Sequence, residues 1–302
     1  LRVIGVGARE QIPVSVVEEV PEGPFDLVIL ATQPTDVEDA MAQAVGALAP
    51  DGRALVLQNG LCEERVAAVL GDRGRVIGGV VSWGAAVVEP GVVEQTSKGG
   101  FTLGTLSGQP VPEGLGLERY LGSIGDVGVT ANLLGARWSK LIINSVVSSL
   151  GTLNGSRLGP VVRSRIARRV GLEIMTEGVA VAQGAGVQLE MVAGTLDLQK
   201  IALSDSDRRG GSPSLMMKHT LLLAVGMKYR RLYSSLLRAI EAGKPPAIDF
   251  LNGELVSWAD RLGVEVPMNR AVCERVYAFA EGRLSPGPGV ISELAANFRG
   301  GA

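Results

Sequence analysis

Lys140, Asn144 and Ser148 stand four residues apart in the apolar run WSKLIINSVVSSLGTLN that begins at Trp138. Steps of four keep side chains on one stripe of a helix. The spacing therefore predicts a helix over 138–150 that aligns an ammonium, an amide and a hydroxyl among Leu141, Ile142, Ile143, Val146 and Val147. Buried polar atoms cost free energy unless they find partners, and a lysine held in such surroundings can give a proton to a substrate oxygen. Taken alone, the stripe is better explained by a lysine that snorkels into water from the first turn, with the amide and hydroxyl merely tolerated.

The elements that must position these residues differ on either side of residue 130. Before it, Val- and Ile-rich runs alternate with helical patterns: a strand over 25–32 (FDLVILAT), a helix over 36–48, a strand over 53–58 (RALVLQ) and a helix reaching residue 69. Continuous apolar strands separated by helices imply a parallel sheet covered on both faces. Residues 78–104 add extended segments around the turn Glu89-Pro90-Gly91, which points to antiparallel strands or a ribbon at the sheet edge. After residue 130 apolar residues recur at three and four, predicting helices over 163–183, 191–203, 214–229, 233–242, 252–262 and 269–281. The polar stretch 205–212 reads as a loop. The division expected is an α/β dinucleotide-binding domain over 1–130 and an all-α substrate and catalytic domain over 131–302.

Ligands of open parallel sheets bind beyond the carboxyl ends of the strands. Two such ends carry polar residues: Thr32 running into Gln33-Pro34, and Gln58 running into Asn59-Gly60. An ordinary turn accounts for Asn59-Gly60 taken by itself. The glycine pair Gly5-Val6-Gly7 is a decoy. Glu10 occupies the third glycine position and an extended stretch follows, whereas a phosphate-cradling loop needs a helix N-terminus directly behind it. Residues 1–17 read instead as a β-hairpin.

Composition narrows the chemistry. In 302 residues, 46% are hydrophobic and 20% charged, and the net charge is -2, so nothing draws the chain to nucleic acid or an anionic membrane. The arginines at 163, 165, 168 and 169 read as a solvated helix face. Two cysteines, Cys62 and Cys273, are too few for a disulfide framework and suit a reducing cytoplasm. No apolar run is long enough to span a bilayer as a helix. His219 is the sole histidine, which disfavours a Ser-His-Asp triad or a histidine-rich metal site and moves lysine up the list of acids.

The succession FDLVILAT, LVLQNG, GAAVVEPGVV, the Lys140/Asn144 helix and SSLLRAIEAGKPPAIDFLNGELV over 234–256 resembles the ketopantoate reductase family (2-dehydropantoate 2-reductase) across nearly the whole chain. The resemblance implies a Rossmann-type domain, an all-α domain of the 6-phosphogluconate-dehydrogenase-like type, and NADPH-dependent reduction of a 2-oxo acid in pantothenate biosynthesis without a metal. It implies Lys140 as the proton donor, Asn144 as a substrate-binding asparagine, Asn59 as a residue shared by nicotinamide and substrate, and Ser235 as the holder of the substrate carboxylate. Thr32 and Gln33 fall where cofactor-binding residues are expected, and Ser148 in the substrate shell.

The chain also departs from that pattern. Gln33 replaces a usual lysine, Ser148 a second asparagine, Leu158 another asparagine and Ala247 a glutamate ahead of Ile-Asp. These changes remove hydrogen-bonding capacity and point to altered recognition of the oxo acid. Asp249-Phe250-Leu251-Asn252 reads as a helix N-terminal signal. In that family a strand, a glycine-rich turn, a helix and a second strand come ahead of the segment that residues 1–17 resemble, so the domain over 1–130 is expected to be an incomplete Rossmann-type domain lacking its first βαβ unit. Residues 204–229 resemble an insertion of the longer members, and helices over 214–237 suit a homodimer interface as well as an internal core. A divergent reductase acting on another oxo acid or an imine, and a non-catalytic scaffold, are the alternatives.

Overall fold

Runs of β-branched and aliphatic residues build nine strands in the computed structural model of the protein, which describes residues 1–6, 10–191, 197–209 and 212–298. They are β1 (Arg2–Gly5), β2 (Glu10–Gln11), β3 (Phe25–Leu30), β4 (Leu48–Val56), β5 (Val76–Val81), β6 (Gly84–Glu89), β7 (Val92–Ser97), β8 (Phe101–Thr105) and β9 (Val127–Val129). The helices are α1 (Val37–Ala44), α2 (Glu63–Leu70), α3 (Leu117–Leu121), α4 (Leu133–Asn154), α5 (Leu158–Arg163), α6 (Arg165–Gly184) and α7 (Leu198–Ile201). They continue with α8 (Asp205–Arg209), α9 (Pro213–Lys228), α10 (Ser235–Glu241), α11 (Asn252–Leu262), α12 (Pro267–Ala280) and α13 (Pro288–Asn297). The chain divides into two units, Leu1–Arg137 with Glu190–Thr195 and Trp138–Leu189 with Leu196–Ala302.

The first unit holds a five-stranded sheet of order β3-β4-β5-β8-β9. β3, β4 and β5 run parallel, as continuous apolar strands joined by helices should, and β8 then lies antiparallel to β5. Leu55, Ile77, Phe101 and Leu103 bury one face against Leu117 and Leu121 of α3. Val80 packs with Leu133 and Ala136, the first turn of α4. Gly78 makes that approach possible, since a Cβ there would lie 2.6 Å from Leu133 Cδ2.

The ribbon around Glu89-Pro90-Gly91 forms as expected, but not at the edge of this sheet. β6 and β7 pair antiparallel, and β7 then pairs with β1 in a separate four-stranded sheet of order β2-β1-β7-β6. The expected hairpin over 1–17 is shorter: Arg2 opposes Gln11 and Val3 opposes Glu10, with no strand assigned between Gln11 and Phe25. Gly7 lies outside the described residues.

The second unit is helical throughout its described residues. In it Ile142, Val146 and Leu150 of α4 bury against α6, which approaches closely at Gly171 and Gly178. A Cβ on Gly178 would sit 2.9 Å from Ile142 Cγ1, and one on Gly171 3.1 Å from Val146 Cγ1. Trp138 and Trp258 meet edge to face at 5.4 Å.

Three expectations need correction here. The helix over 191–203 reduces, among the described residues, to α7, and residues 192–196 lie outside them. Of the polar loop expected at 205–212, residues 210–211 lie outside the described residues and residues 205–209 form a helical turn, α8, organised by Asp207. This fully buried carboxylate takes the Lys218 ammonium at 2.6 Å and the backbone N–H of Ser204 at 3.1 Å, so the polar composition reflects an internal ion pair. The Asp249–Asn252 signal does not cap α11. Leu251 holds the cap position without a side-chain bond, Asp249 accepts from the Tyr277 hydroxyl, and Asn252 is committed inside the core.

Candidate functional site

In the first unit, β3 and β4 end side by side, and their exits carry Thr32, Gln33, Gln58 and Asn59. Gly60 takes φ of 89°, the left-handed conformation that glycine adopts at no steric cost, so the chain turns sharply there. The turn leaves Asn59 exposed, and its backbone carbonyl accepts from the Cys62 thiol at 3.4 Å. Thr32 and Gln33 are exposed as well, and the Thr32 hydroxyl donates to the Gln33 carbonyl at 3.2 Å.

Behind this edge sits a buried ion pair that sequence reasoning missed. Arg137, 1% exposed, pairs through Nε with Glu63 at the start of α2. Its other nitrogens donate to the Gln58 carbonyl at 2.8 Å and the Val56 carbonyl at 2.7 Å. The guanidinium fork thus closes the last carbonyl of β4, Val56, and that of Gln58 just beyond the strand, as a sheet neighbour would. Burial raises the Glu63 carboxyl above its usual range, against the lowering effect of Arg137. The available signal is a full charge at the head of a hydrophobic stretch, directly before Trp138.

Gln58 is the second residue that sequence reasoning passes over. It is 4% exposed, its Nε2 donates to the Thr32 hydroxyl at 3.1 Å, and its Oε1 has no hydrogen-bond partner.

In the second unit, Lys140, Asn144 and Ser148 lie on one half-buried stripe of α4, as the spacing predicts, beside the fully buried Ser145 and Ser149. The helix is longer than expected, 22 residues over 133–154 instead of the run 138–150. Ser235 is exposed in the first turn of α10, and its neighbour Ser234 is the structural one. Ser234 Oγ caps α10 by accepting from Leu237 N and lies 2.7 Å from Thr152 Oγ1, one turn beyond Ser148. That bond brings Ser235 to the carboxyl half of α4.

The positions where the sequence departs from the family pattern are structurally quiet. Leu158 is 3% exposed and belongs to the core, its N–H bonded to the Leu232 carbonyl. Ala247 opens a 3-10 turn, 247–250, next to Pro246. His219 is buried on α9, and burial, followed by Arg168, Arg165 and Arg169, pushes its pKa down to about 4, so it is neutral at physiological pH. Among the described residues no cluster of His, Cys, Asp or Glu could hold a metal, and no helix is long and apolar enough to cross a membrane.

A second buried polar group joins four helices of this unit. Ser149 Oγ donates to Asn252 Oδ1 at 2.6 Å, Asn252 Nδ2 to Asn269 Oδ1 at 2.9 Å, and Asn269 Nδ2 to Glu177 Oε2 at 2.7 Å. Glu177 also accepts the first free N–H groups of α12, Met268 at 2.8 Å and Asn269 at 2.9 Å. Burial pushes its carboxyl up to about 7, only partly offset by those donors.

Comparison with known proteins agrees with the expected family. Residues 1–108 match the family model "Ketopantoate reductase PanE/ApbA", and residues 132–280 match "Ketopantoate reductase PanE/ApbA C terminal". A 2-dehydropantoate 2-reductase of Pyrococcus horikoshii is 28% identical over 83% of this chain and 74% of its own length. The PanE/ApbA family ketopantoate reductase of Ralstonia eutropha superposes with a TM-score of 0.76, at 26% identity over 93% of this chain and 85% of that one. A D-mandelate dehydrogenase solved with NADH and anilino(oxo)acetate shares the fold, with a TM-score of 0.77 at 18% identity over 93% and 85% of the two chains.

Proposed function

The chain belongs to the ketopantoate reductase family of oxidoreductases, and from that premise we propose that it reduces a 2-oxo acid, 2-dehydropantoate first among them, with NADPH. The observation that carries the reading is the half-buried stripe of Lys140 and Asn144 on an otherwise apolar helix, at the spacing the family places there. The residues at the strand ends fit a nicotinamide group. Asn59 projects from a glycine-permitted turn, and beside it lies a buried side-chain carbonyl, Gln58 Oε1, with room in its bonding for a donor.

A nicotinamide cofactor held beside Asn59, Thr32 and Gln33 would supply the hydride for the keto carbon. Lys140 Nζ holds the proton that the carbonyl oxygen takes up as its charge develops, which requires the lysine to enter the reaction as an ammonium. Loss of water around an ammonium disfavours its charge, and the carboxylate of a bound oxo acid offsets that loss. Asn144 and Ser235 orient the substrate, Asn59 aligns it with the nicotinamide, and Thr32 and Gln33 line the cofactor side. Ser148 offers the substrate one hydroxyl where an amide would offer a donor and an acceptor.

An oxo acid with fewer hydroxyls than the family's usual substrate is the second reading, favoured by Leu158 being buried as core and by Ala247. Lys140→Ala should lower turnover by about a thousandfold or more with the fold retained. The measurement is oxidation of NADPH, and of NADH in parallel, with 2-dehydropantoate and a panel of 2-oxo acids. Turnover at the wild-type rate in the variant would remove the donor role, and the panel separates the two readings. The same reading includes a homodimer, supported by the exposed apolar stripe of Met216, Met217 and Leu221 on α9, and a cytoplasmic location, supported by the two free cysteines, Cys62 and Cys273. A monomeric mass in solution would contradict the dimer.

A further inference from the structure

Gln58 is held so firmly that its unpartnered atom is an instruction about the ligand. Thr32 has one hydroxyl proton and donates it to the Gln33 carbonyl, so toward Gln58 its oxygen can only accept. The amide must therefore turn its amino group to Thr32 and leave Oε1 pointing elsewhere. Flipping it would set oxygen against oxygen. The backbone cannot relax to satisfy Oε1 either, because the Gln58 and Val56 carbonyls are both gripped by Arg137, itself locked to Glu63. A buried carbonyl without a donor costs about 1–3 kcal/mol, and native proteins rarely leave one without a reason.

The partner of this atom has to be a donor that arrives at the carboxyl ends of β3 and β4, where ligands of parallel sheets bind. We propose that Gln58 reads the nicotinamide carboxamide, its Oε1 accepting one N–H of that primary amide, in a site preset by Thr32 and Arg137. The inference rests on the reading of the protein as a nicotinamide-dependent reductase and adds to it a cofactor-binding residue and a chemical requirement: a carboxamide N–H on the ring. A trapped water would satisfy the same atom but would impose no such requirement.

The test is a binding cycle that does not depend on turnover. Dissociation constants of NADPH and of its reduced 3-acetylpyridine analogue, which keeps the carbonyl but has a methyl group in place of the amino group, are measured by calorimetry for the intact protein and for Gln58→Met. The wild-type protein should bind the analogue roughly 5- to 10-fold more weakly, the worth of one hydrogen bond. In Gln58→Met, a near-isostere without the acceptor, the two constants should converge. Gln58→Leu, of similar volume and also without the acceptor, should show the same convergence, which covers the case in which the methionine variant fails to fold.

A purely structural role for Gln58 would weaken both ligands equally and leave their ratio unchanged, and that result overturns the inference. So does a wild-type protein that binds both dinucleotides alike, or a preference kept undiminished in Gln58→Leu. A wild-type protein that binds neither dinucleotide overturns the reductase reading together with it.

Discussion

Two of the buried polar groups of this protein are built from similar parts and finished differently. In the second unit, Ser149, Asn252, Asn269 and Glu177 bond to one another in an unbroken chain, and the group joins α4, α6, α11 and α12. In the first unit, Arg137, Glu63, Thr32 and Gln58 hold one another equally tightly, yet one acceptor, Gln58 Oε1, is left over. A closed network fixes helix packing, and an extra ligand would have nothing to bond there. An open one at a strand end is a rigid socket with a single unused acceptor, which is what recognition of one donor group requires.

The largest effect should come from the clamp behind the socket. Arg137→Ala leaves the Glu63 carboxylate and two backbone carbonyls buried without their donor, and should cost about 3–5 kcal/mol in denaturant unfolding. Arg137→Met with Glu63→Met should recover much of this, because the uncompensated charge is then gone. A double variant as unstable as the single one would mean that the two carbonyls, not the ion pair, carry the cost.

The closed network should reveal itself through pH. The Glu177 carboxyl has a raised pKa in the folded protein, about 7 against 4.5 unfolded, so the folded state holds its proton longer. Its contribution to stability is full below pH 4.5 and is lost as pH climbs toward 7, by up to ~3 kcal/mol. Wild type should therefore lose stability relative to Glu177→Gln between about pH 5 and 7 in melting experiments. Parallel curves for the two proteins would show that Glu177 does not titrate in this window.

The smallest effect is expected at the unused acceptor itself. Gln58→Met removes an unsatisfied carbonyl along with the bond to Thr32, two changes of opposite sign, so unfolding stability should move by no more than about 1 kcal/mol. A loss of several kcal/mol would make Gln58 part of the structural scaffold and erase the contrast between the two networks.

Local periodicity carries much of this protein. The apolar runs at 25–30 and 53–56, the steps of four through Lys140, and the alternation of strands and helices are all readable because each depends on neighbours within a turn or a few residues. Helix α13 is not, because Pro286, Pro288 and Gly289 read as loop, although a proline in the first helical turn loses no bond. The stretch at 205–212 misleads for the opposite reason, since its polarity answers to Lys218, a turn into the next long helix.

What the sequence alone determined is therefore the family and the order of most of its elements, with Lys140, Asn144, Asn59 and Ser235 as the residues proposed for its chemistry. Only the tertiary structure decided which polar groups are spent and which, Gln58 Oε1 among them, are left over. Arg137 meets carbonyls 81 and 79 residues away, and Glu177 caps a helix 91 residues downstream. Partnerships at that range depend on how helices and strands pack, so no spacing announces them. The Gln58 amide spends its N–H on Thr32, 26 residues earlier, and its carbonyl meets no donor.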